Sequence, residues 1–252
     1  MLNEDHSCKK CKGEHWVKNE ETGDRVECSC LREKRKRHMF EIMGVPPKFR
    51  DKNIDDFKDH LSASGKKLTK SEETQKRLVK DSVVTYVSSI PDMLYEGYFL
   101  RNKDKPYNSM ILIGGPNSGK SLLASCIAVE GVKRGCRMKI FEWSQILSAC
   151  FDFEGDDYKI LCNDINRKDQ IVIIENIDEM YERGSNQSGI PSSVLRRINS
   201  MFMLRWKSGI PMIMTSSQDV KSLVSGKYGS ALTSIIEDAL ELNLPAQEGL
   251  ER

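Results

Sequence analysis

One short segment constrains this 252-residue chain more than any other. Residues 114–121 read Gly-Gly-Pro-Asn-Ser-Gly-Lys-Ser, after an apolar run at residues 110–113 and before a helix-like segment at residues 122–128. Glycines let such a loop bend so that its backbone N–H groups point at phosphate oxygens, at the positive end of the following helix. The pattern G-x-x-x-x-G-K-[ST] between a strand and a helix therefore predicts a nucleoside triphosphate site.

Four positions of this phosphate loop have an expected task. Gly114 and Gly119 allow the tight bends, Lys120 neutralises the β- and γ-phosphates, and the Ser121 hydroxyl ligates Mg²⁺. The residues expected to contact ATP are Gly114, Gly115, Pro116, Asn117, Ser118, Gly119, Lys120 and Ser121. A chance glycine-rich turn is the alternative, but the order of strand, loop, Lys-Ser and helix argues against it.

Short apolar runs separated by helical patterns predict a parallel sheet covered by helices on both faces. The runs are residues 110–113, 138–141, 171–174 and 211–215, and residues 220–244 resemble short helices. A ligand of such a sheet binds at the carboxyl ends of the strands, where the phosphate loop is. The predicted fold class is therefore α/β, a P-loop NTPase.

The residues after the third apolar run decide how well a bound nucleotide would be hydrolysed. Glu175 can reach the magnesium ion, whereas Asn176 cannot accept a proton at neutral pH and can only orient water. Asp178 and Glu179 follow, and we interpret them as part of a turn. After the next strand, Ser217 is the candidate for a polar group that senses the γ-phosphate. We expect slow hydrolysis.

Only the first four of the eight cysteines have the spacing of metal ligands. They are Cys8, Cys11, Cys28 and Cys30. A hairpin with its turn at residues 21–24 would bring these four thiolates to one tetrahedral Zn²⁺, which would stabilise so short a segment. Two disulfides are the alternative for a less reducing compartment. His6 or His15 could also replace one of the thiolates.

The composition favours a chain of two parts without a membrane span. The net charge of +2 identifies no partner, and we expect a soluble, cytoplasmic protein. Gly44 and the prolines after it end a basic helix, so we expect a zinc-binding domain at residues 1–43 and a linker at residues 44–70. The nucleotide domain is then expected at residues 71–252, where a helix starts with a cap at residues 71–74.

Taken in order, these features resemble one known family. They are the two cysteine pairs, residues 44–50 with Phe57, the phosphate loop, residues 171–176, Arg205 and residues 211–217. The chain resembles the DnaC/DnaI-type AAA+ replicative helicase loaders, notably phage-borne members with a cysteine-rich front. The resemblance implies that the N-terminal domain contacts the hexameric replicative helicase. It also implies that the ATPase domain forms an ATP-dependent oligomer and holds single-stranded DNA in a bacterial cell.

Two departures from the family pattern predict a weak ATPase. The family's acidic pair is Glu175-Asn176 here, and its C-terminal serine-arginine pair is replaced at residues 232–236. An arginine finger contributes roughly 10³ to 10⁵ in rate where it operates. ATP is therefore expected to act mainly as a conformational ligand.

The resemblance also places a DNA-contacting helix at residues 147–153, where Phe151 or Phe153 could stack on bases. Core packing of both rings is the alternative. Two other functions stay open: an ATPase accessory protein of a transposase, and a decoy that binds the helicase without loading it.

Overall fold

The computed structural model divides the chain into two units, residues 1–50 and residues 51–252. It describes residues 8–58, 65, 67–95, 109–179, 182–183, 187–188, 190–225 and 228–245. The helices are α1 Ser29–Met43, α2 Lys70–Tyr95, α3 Lys120–Lys133, α4 Trp143–Phe151, α5 Asp156–Ile165, α6 Ser192–Ser208, α7 Val220–Leu223 and α8 Ser230–Glu237. The strands are β1 Trp16–Lys18, β2 Arg25–Glu27, β3 Met110–Ile113, β4 Arg137–Glu142, β5 Gln170–Glu175, β6 Glu182–Arg183, β7 Gln187–Ser188, β8 Met212–Ser216 and β9 Leu240–Asn243.

The first unit is a hairpin followed by a helix. Strands β1 and β2 pair antiparallel, with Val17 opposite Val26, and Cys28 is the N-cap residue of α1. Gly44 ends α1 with a φ of 78°, and its N–H donates to the Glu41 carbonyl. Glycine adopts this left-handed conformation without a steric penalty. The turn and the helix lie where the sequence indicates.

The second unit is built on a five-stranded sheet in the order β4-β5-β8-β3-β9. Every pairing in it is parallel. A short 3₁₀ turn, Ile54–Asp56, precedes the long helix α2 in this unit. The predicted α/β class with a helix-flanked parallel sheet is therefore confirmed. No helix among the described residues is long and apolar enough to cross a bilayer.

The two faces of the sheet carry different helices. One face packs against α4, α6 and α8, with Phe141, Val172 and Met212 in the shared core. The alternate residues face the other way, because successive strand side chains point to opposite faces. On that opposite face Met138 lies against Gly131 of α3, where an added Cβ would lie 2.6 Å from the methionine sulfur. Helix α3, which follows the phosphate loop, thus covers the second face.

The structure corrects the sequence interpretation at two places in this unit. Helix α2 begins at Lys70, and its cap is the reciprocal pair Thr69 and Glu72, two residues before the expected cap. Leu78 and Val84 of this helix are 60% and 41% exposed. The segment expected to be short helices alone also forms β9, which pairs with β3 and completes the sheet.

Arg205 is a structural residue of α6. It is fully buried, and its guanidinium donates to the carbonyls of Ile165 at 2.9 Å, Gln170 at 2.5 and 3.2 Å, and Pro211 at 3.5 Å. Burial lowers the pKa of Arg205 to about 9, which leaves it protonated at neutral pH. Arg205 therefore ties the amino ends of β5 and β8 to α6.

Candidate functional site

The predicted phosphate loop connects β3 to α3. Gly119, with a φ of 101°, is the N-cap residue of α3, and Lys120 begins the helix. The Lys120 Nζ donates to the carbonyls of Gly114 at 2.5 Å and Gly115 at 2.9 Å, so the ammonium group lies within the loop. Burial lowers the pKa of Lys120, although the carboxylates of Asp178 and Glu175 act in the opposite direction.

Gly114 and Gly115 of the loop have different surroundings. A Cβ on Gly114 would lie 2.7 Å from the Ser118 Oγ and 3.0 Å from the Leu244 Cβ, so this position has no room for a side chain. A Cβ on Gly115 would meet no heavy atom within 4 Å, and Pro116 and Asn117 beside it are exposed. The loop is thus packed on its inner side and open at Gly115, where phosphate can approach.

A segment before α2 packs directly on the phosphate loop. Phe57 is 1% exposed, and a Cβ on Gly119 would lie 2.8 Å from the Phe57 Cε2. The Lys76 Nζ lies 4.3 Å from the centre of that ring and donates to the Lys58 carbonyl at 2.7 Å. Lys80 pairs with Asp55 at 2.9 Å in the same region. Sequence reasoning placed Phe57 in a linker and missed this contact.

The acidic edge of the site involves two neighbouring strands. Glu175 ends β5 and is 2% exposed, and the Cα of Glu142 at the end of β4 is its register partner. Asn176 donates its side-chain N–H to the Glu142 Oε2 at 3.1 Å and its backbone N–H to the Thr215 Oγ1 at 2.9 Å. Its φ of 56° is one that asparagine tolerates better than most residues. Sequence reasoning missed Glu142.

Ser217 follows the end of β8 and contacts an acid from the turn after β5. Its backbone N–H donates to the Asp178 Oδ1 at 3.0 Å, and its hydroxyl donates to the Asp178 Oδ2. The tyrosine hydroxyl of Tyr228 donates to the neighbouring Ile177 carbonyl at 2.8 Å. The turn expected around Asp178 is therefore held against β8, and the sensor candidate Ser217 lies beside it.

These residues fit a magnesium-bound nucleotide. Phosphate oxygens would meet the N–H groups at the start of α3 and the Lys120 ammonium, and the Ser121 hydroxyl and the Glu175 carboxylate supply the oxygen ligands that Mg²⁺ prefers. Ser121 is half-buried in the first turn of α3, and Glu175 lies at the same edge of the sheet. When bound, the ion neutralises charge that develops on the phosphates during their hydrolysis.

The four predicted metal ligands lie together in the first unit. The sulfur atoms of Cys8, Cys11, Cys28 and Cys30 all lie within 4.8 Å of one another. The Cys8 and Cys28 sulfurs are 3.8 Å apart, and those of Cys11 and Cys30 are 3.4 Å apart. Four Zn–S bonds of about 2.3 Å in a tetrahedron separate the sulfurs by about 3.8 Å, so the cluster fits Zn²⁺.

The disulfide alternative at this cluster fits less well. The four cysteines are free thiols in the structure, and both sulfur separations exceed the disulfide bond length of about 2.05 Å. His15 lies beside the cluster, with its Nδ1 3.8 Å from the Cys30 sulfur, whereas His6 lies outside the described residues. Backbone N–H groups of Cys11 and Lys10 lower the pKa of Cys8 to about 6, whereas burial raises the pKa of Cys30 to about 12.

The two phenylalanines proposed for DNA contact have different environments. Phe151, the last residue of α4, packs partly buried against the core. Phe153 is 42% exposed, and the Arg197 guanidinium lies 3.8 Å from the centre of its ring. Arg197 also donates to the Cys150 carbonyl at 2.8 Å, which fixes it beside the end of α4. The alternative of core packing therefore holds in part for Phe151 and does not hold for Phe153.

Comparison with known proteins identifies the family. Residues 110–239 match the ATPase family associated with various cellular activities (AAA), and this match covers more than half of the chain. The chain belongs to the AAA family. The matched region extends from β3 to the residue before β9, and so contains the phosphate loop, Glu142, Glu175, Asn176 and Ser217. No curated protein sequence matches the chain closely enough to count as a relative.

Solved structures with a similar fold include proteins of DNA replication. Replication initiator DnaA bound to AMPPCP and single-stranded DNA has a TM-score of 0.55 and 15% identity, over 81% of this chain and 51% of its own. The DnaC helicase loader has a TM-score of 0.54 and 14% identity, over 79% of this chain and 100% of its own. AMPPCP-bound DnaA from Aquifex aeolicus has a TM-score of 0.50 and 14% identity, over 80% of this chain and 51% of its own. The chain thus spans about half of each DnaA chain, and the expected AAA+ fold is confirmed.

Proposed function

We propose that this protein loads a replicative DNA helicase onto single-stranded DNA at the start of replication, under the control of ATP. The observation that carries the proposal is the combination, in one chain, of an AAA unit with an intact phosphate loop and a preceding four-cysteine unit. The match to the full length of the DnaC helicase loader supports it at the level of the fold. We assign zinc binding to residues 1–43, a linker to residues 44–70 and the ATPase to residues 71–252.

In this proposal ATP is mainly a conformational ligand that orders subunits in an oligomer. Two features of the chain support slow hydrolysis. Asn176 follows Glu175 where a second acid is usual, and the sequence contains no arginine between Arg205 and Arg252. Arg205 itself is buried and bonded to backbone carbonyls, so it does not act as an arginine finger towards a neighbouring subunit. Single-turnover hydrolysis approaching one per second would contradict this part of the proposal.

We assign single-stranded DNA contact to the end of α4, where Phe153 and Arg197 present an exposed ring and a cation. Stacking on an aromatic residue contributes about 1–3 kcal/mol per base. The variant F153A should therefore weaken binding of a fluorescent oligonucleotide by roughly 5- to 160-fold, while F153W should preserve it. If F153A binds the oligonucleotide as the wild type does, this surface is not the DNA site. The DNA-bound state of DnaA supports testing this partner first.

The proposal places the protein in a bacterial cytoplasm, with a phage-borne origin, and gives the zinc unit the role of contacting the hexameric helicase. Co-purification of the wild-type protein with a six-membered replicative helicase, in the presence and absence of ATP, tests that contact. Deposition of the helicase on closed circles of single-stranded DNA then tests loading. Co-purification without deposition would indicate a decoy, and duplex binding without helicase contact would indicate a transposase accessory protein. Either result would overturn the loader.

A further inference from the structure

The ends of β4 and β5 bring two glutamates to one edge of the sheet. The Cα atoms of Glu142 and Glu175 are register partners in the parallel ladder, so their side chains share a face. Met138 and Glu142 also share a face, because they are four residues apart on one strand. Met138 lies against Gly131 of α3. Both glutamates therefore point to the face covered by α3, on which the phosphate loop and Lys120 also lie.

Asn176 links the two strands at this edge. Its amide donates to the Glu142 Oε2 at 3.1 Å, across 34 positions of sequence. Its backbone N–H is bonded to the Thr215 Oγ1 at 2.9 Å, which ties the asparagine to β8 as well. Glu142 is fixed in turn as the N-cap residue of α4, where its N–H donates to the Gln145 Oε1 at 3.3 Å. An amide has no lone pair that takes a proton at neutral pH, whereas the carboxylate it contacts does.

We infer that Glu142 is the catalytic base for ATP hydrolysis in this protein and that Asn176 is the residue that positions it. The position after Glu175 has no carboxylate. Glu142, which pairs with Glu175 on the neighbouring strand, supplies one instead. Glu142 accepts a proton from water as the water oxygen bonds to the γ-phosphorus. The bond from that phosphorus to the bridging oxygen breaks, and ADP leaves with the electron pair. The inference rests on the nucleotide site proposed above.

Asp178 is the competing acid, since its carboxylate, like that of Glu175, acts on the pKa of Lys120. Both of its carboxylate oxygens accept hydrogen bonds from Ser217, one from the backbone N–H and one from the hydroxyl. This pairing gives Asp178 the task of holding the turn and Ser217 in place. The Glu142 carboxylate caps α4 and accepts a hydrogen bond from the Asn176 amide, and Asn176 is the residue after Glu175, where a second acid is usual.

The test measures binding and hydrolysis separately on the full-length protein. Calorimetry with magnesium and ATP first establishes that the wild type and E142Q bind nucleotide equally, so that a failed nucleotide site is recognised at this stage. Single-turnover assays with excess protein then follow the release of labelled inorganic phosphate over hours. We expect a slow wild-type rate above the protein-free control. A general base contributes about 10²–10⁴-fold, so E142Q should lose about 10²-fold or fall to the control rate. The matched control is E179Q, at an exposed acid of the same turn, which should stay within about tenfold of the wild type, and D178N, which tests the competing acid, should lose less activity than E142Q.

A second variant tests the inference without removing Glu142. In N176D a carboxylate replaces the amide 3.1 Å from Glu142. When two carboxylates share a site, the repulsion between their charges raises the pKa of one of them. The acidic limb of the pH–rate profile should therefore move to higher pH, which a purely structural asparagine would not cause. The inference is overturned if E142Q hydrolyses ATP at the wild-type rate, if N176D leaves the acidic limb in place, or if only D178N loses activity. A wild-type rate equal to the protein-free control also overturns it, while the proposed ATP-bound loader would remain.

Discussion

Replacing Gly119 by alanine should destabilise the AAA unit, because this position lacks both the backbone conformation and the space for a side chain. Its φ of 101° is left-handed, which costs a residue with a Cβ about 1–2 kcal/mol. The new Cβ would lie 2.8 Å from the Phe57 Cε2 and 3.2 Å from its Cδ2. Phe57 is buried and held by Lys76, so overpacking adds about 1–3 kcal/mol. The free energy of unfolding should therefore fall by about 2–5 kcal/mol.

Differential scanning calorimetry measures this effect on the full-length protein. One kcal/mol lowers the Tm of a domain of this size by roughly 2–4 °C, so G119A should melt about 4–20 °C below the wild type. The matched control is G115A in the same loop, where an added Cβ meets no heavy atom within 4 Å. Its Tm should change by less than about 2 °C. G119A should also bind ATP more weakly, because the glycine begins the helix that faces the phosphates.

The variant F57L separates the two causes of the effect. Leucine removes the ring edge that an alanine Cβ would meet, so G119A should cost about 1–3 kcal/mol less in the F57L background than in the wild type. The backbone cost should remain in both backgrounds. The reasoning is refuted if G119A has the same Tm as the wild type. The role of the Phe57 ring is refuted if G119A lowers the free energy of unfolding equally in the wild-type and F57L backgrounds.

Three further predictions concern stability. R205M should lower the free energy of unfolding by about 3–5 kcal/mol in urea titrations, because it leaves buried carbonyls without a donor. The control R196M, at an exposed arginine of the same helix, should change it by less than about 0.5 kcal/mol. Equal effects of the two variants would contradict the structural role of Arg205. Hydrogen bonds from Thr69 lower the pKa of Glu72 below its usual 4.5, so the Glu72 carboxylate stabilises α2 above pH 4.5, and this contribution is lost as the pH falls below 4.5. E72Q should therefore flatten the curve of unfolding free energy against pH in this range. An unchanged curve would contradict the role of Glu72 as a cap of α2. A zinc chelator, or the variant C11S, should abolish the amide chemical-shift dispersion of residues 8–50 in NMR spectra and leave the thermal unfolding transition of the AAA unit unchanged. Spectra that change with neither treatment would exclude a structural metal.

The central strands could be predicted because their signal is local. Strands β3, β5 and β8 each contain a continuous apolar run and are buried along their whole length. Strand β9 has no such signal, since Glu241 and Asn243 alternate with leucines and are exposed. It becomes a strand only by pairing with β3 at the edge of the sheet. The sequence pattern of such an edge strand is too short to distinguish from that of a helix end.

The phosphate loop and the cysteine cluster could also be predicted from the sequence, because each motif contains, at fixed spacing, the residues that form its turns. The contacts between Phe57 and Gly119 and between Glu142 and Asn176 could not be predicted. Each joins residues that are distant in the sequence and meet only through the strand order or the packing of the segment before α2. The asparagine after Glu175 therefore suggested a missing acid, whereas the structure places another carboxylate against it.

Titration calorimetry of the full-length protein with ATP and Mg²⁺ tests the central claim most directly, namely that residues 114–121 hold a triphosphate. We predict saturable binding of one nucleotide per chain with a Kd below about 1 mM. The variant K120A should lose most of this binding, because the ammonium group lies within the loop, bonded to the Gly114 and Gly115 carbonyls. Well-folded wild-type protein that releases or takes up no heat with adenine nucleotide at about 1 mM would contradict the account.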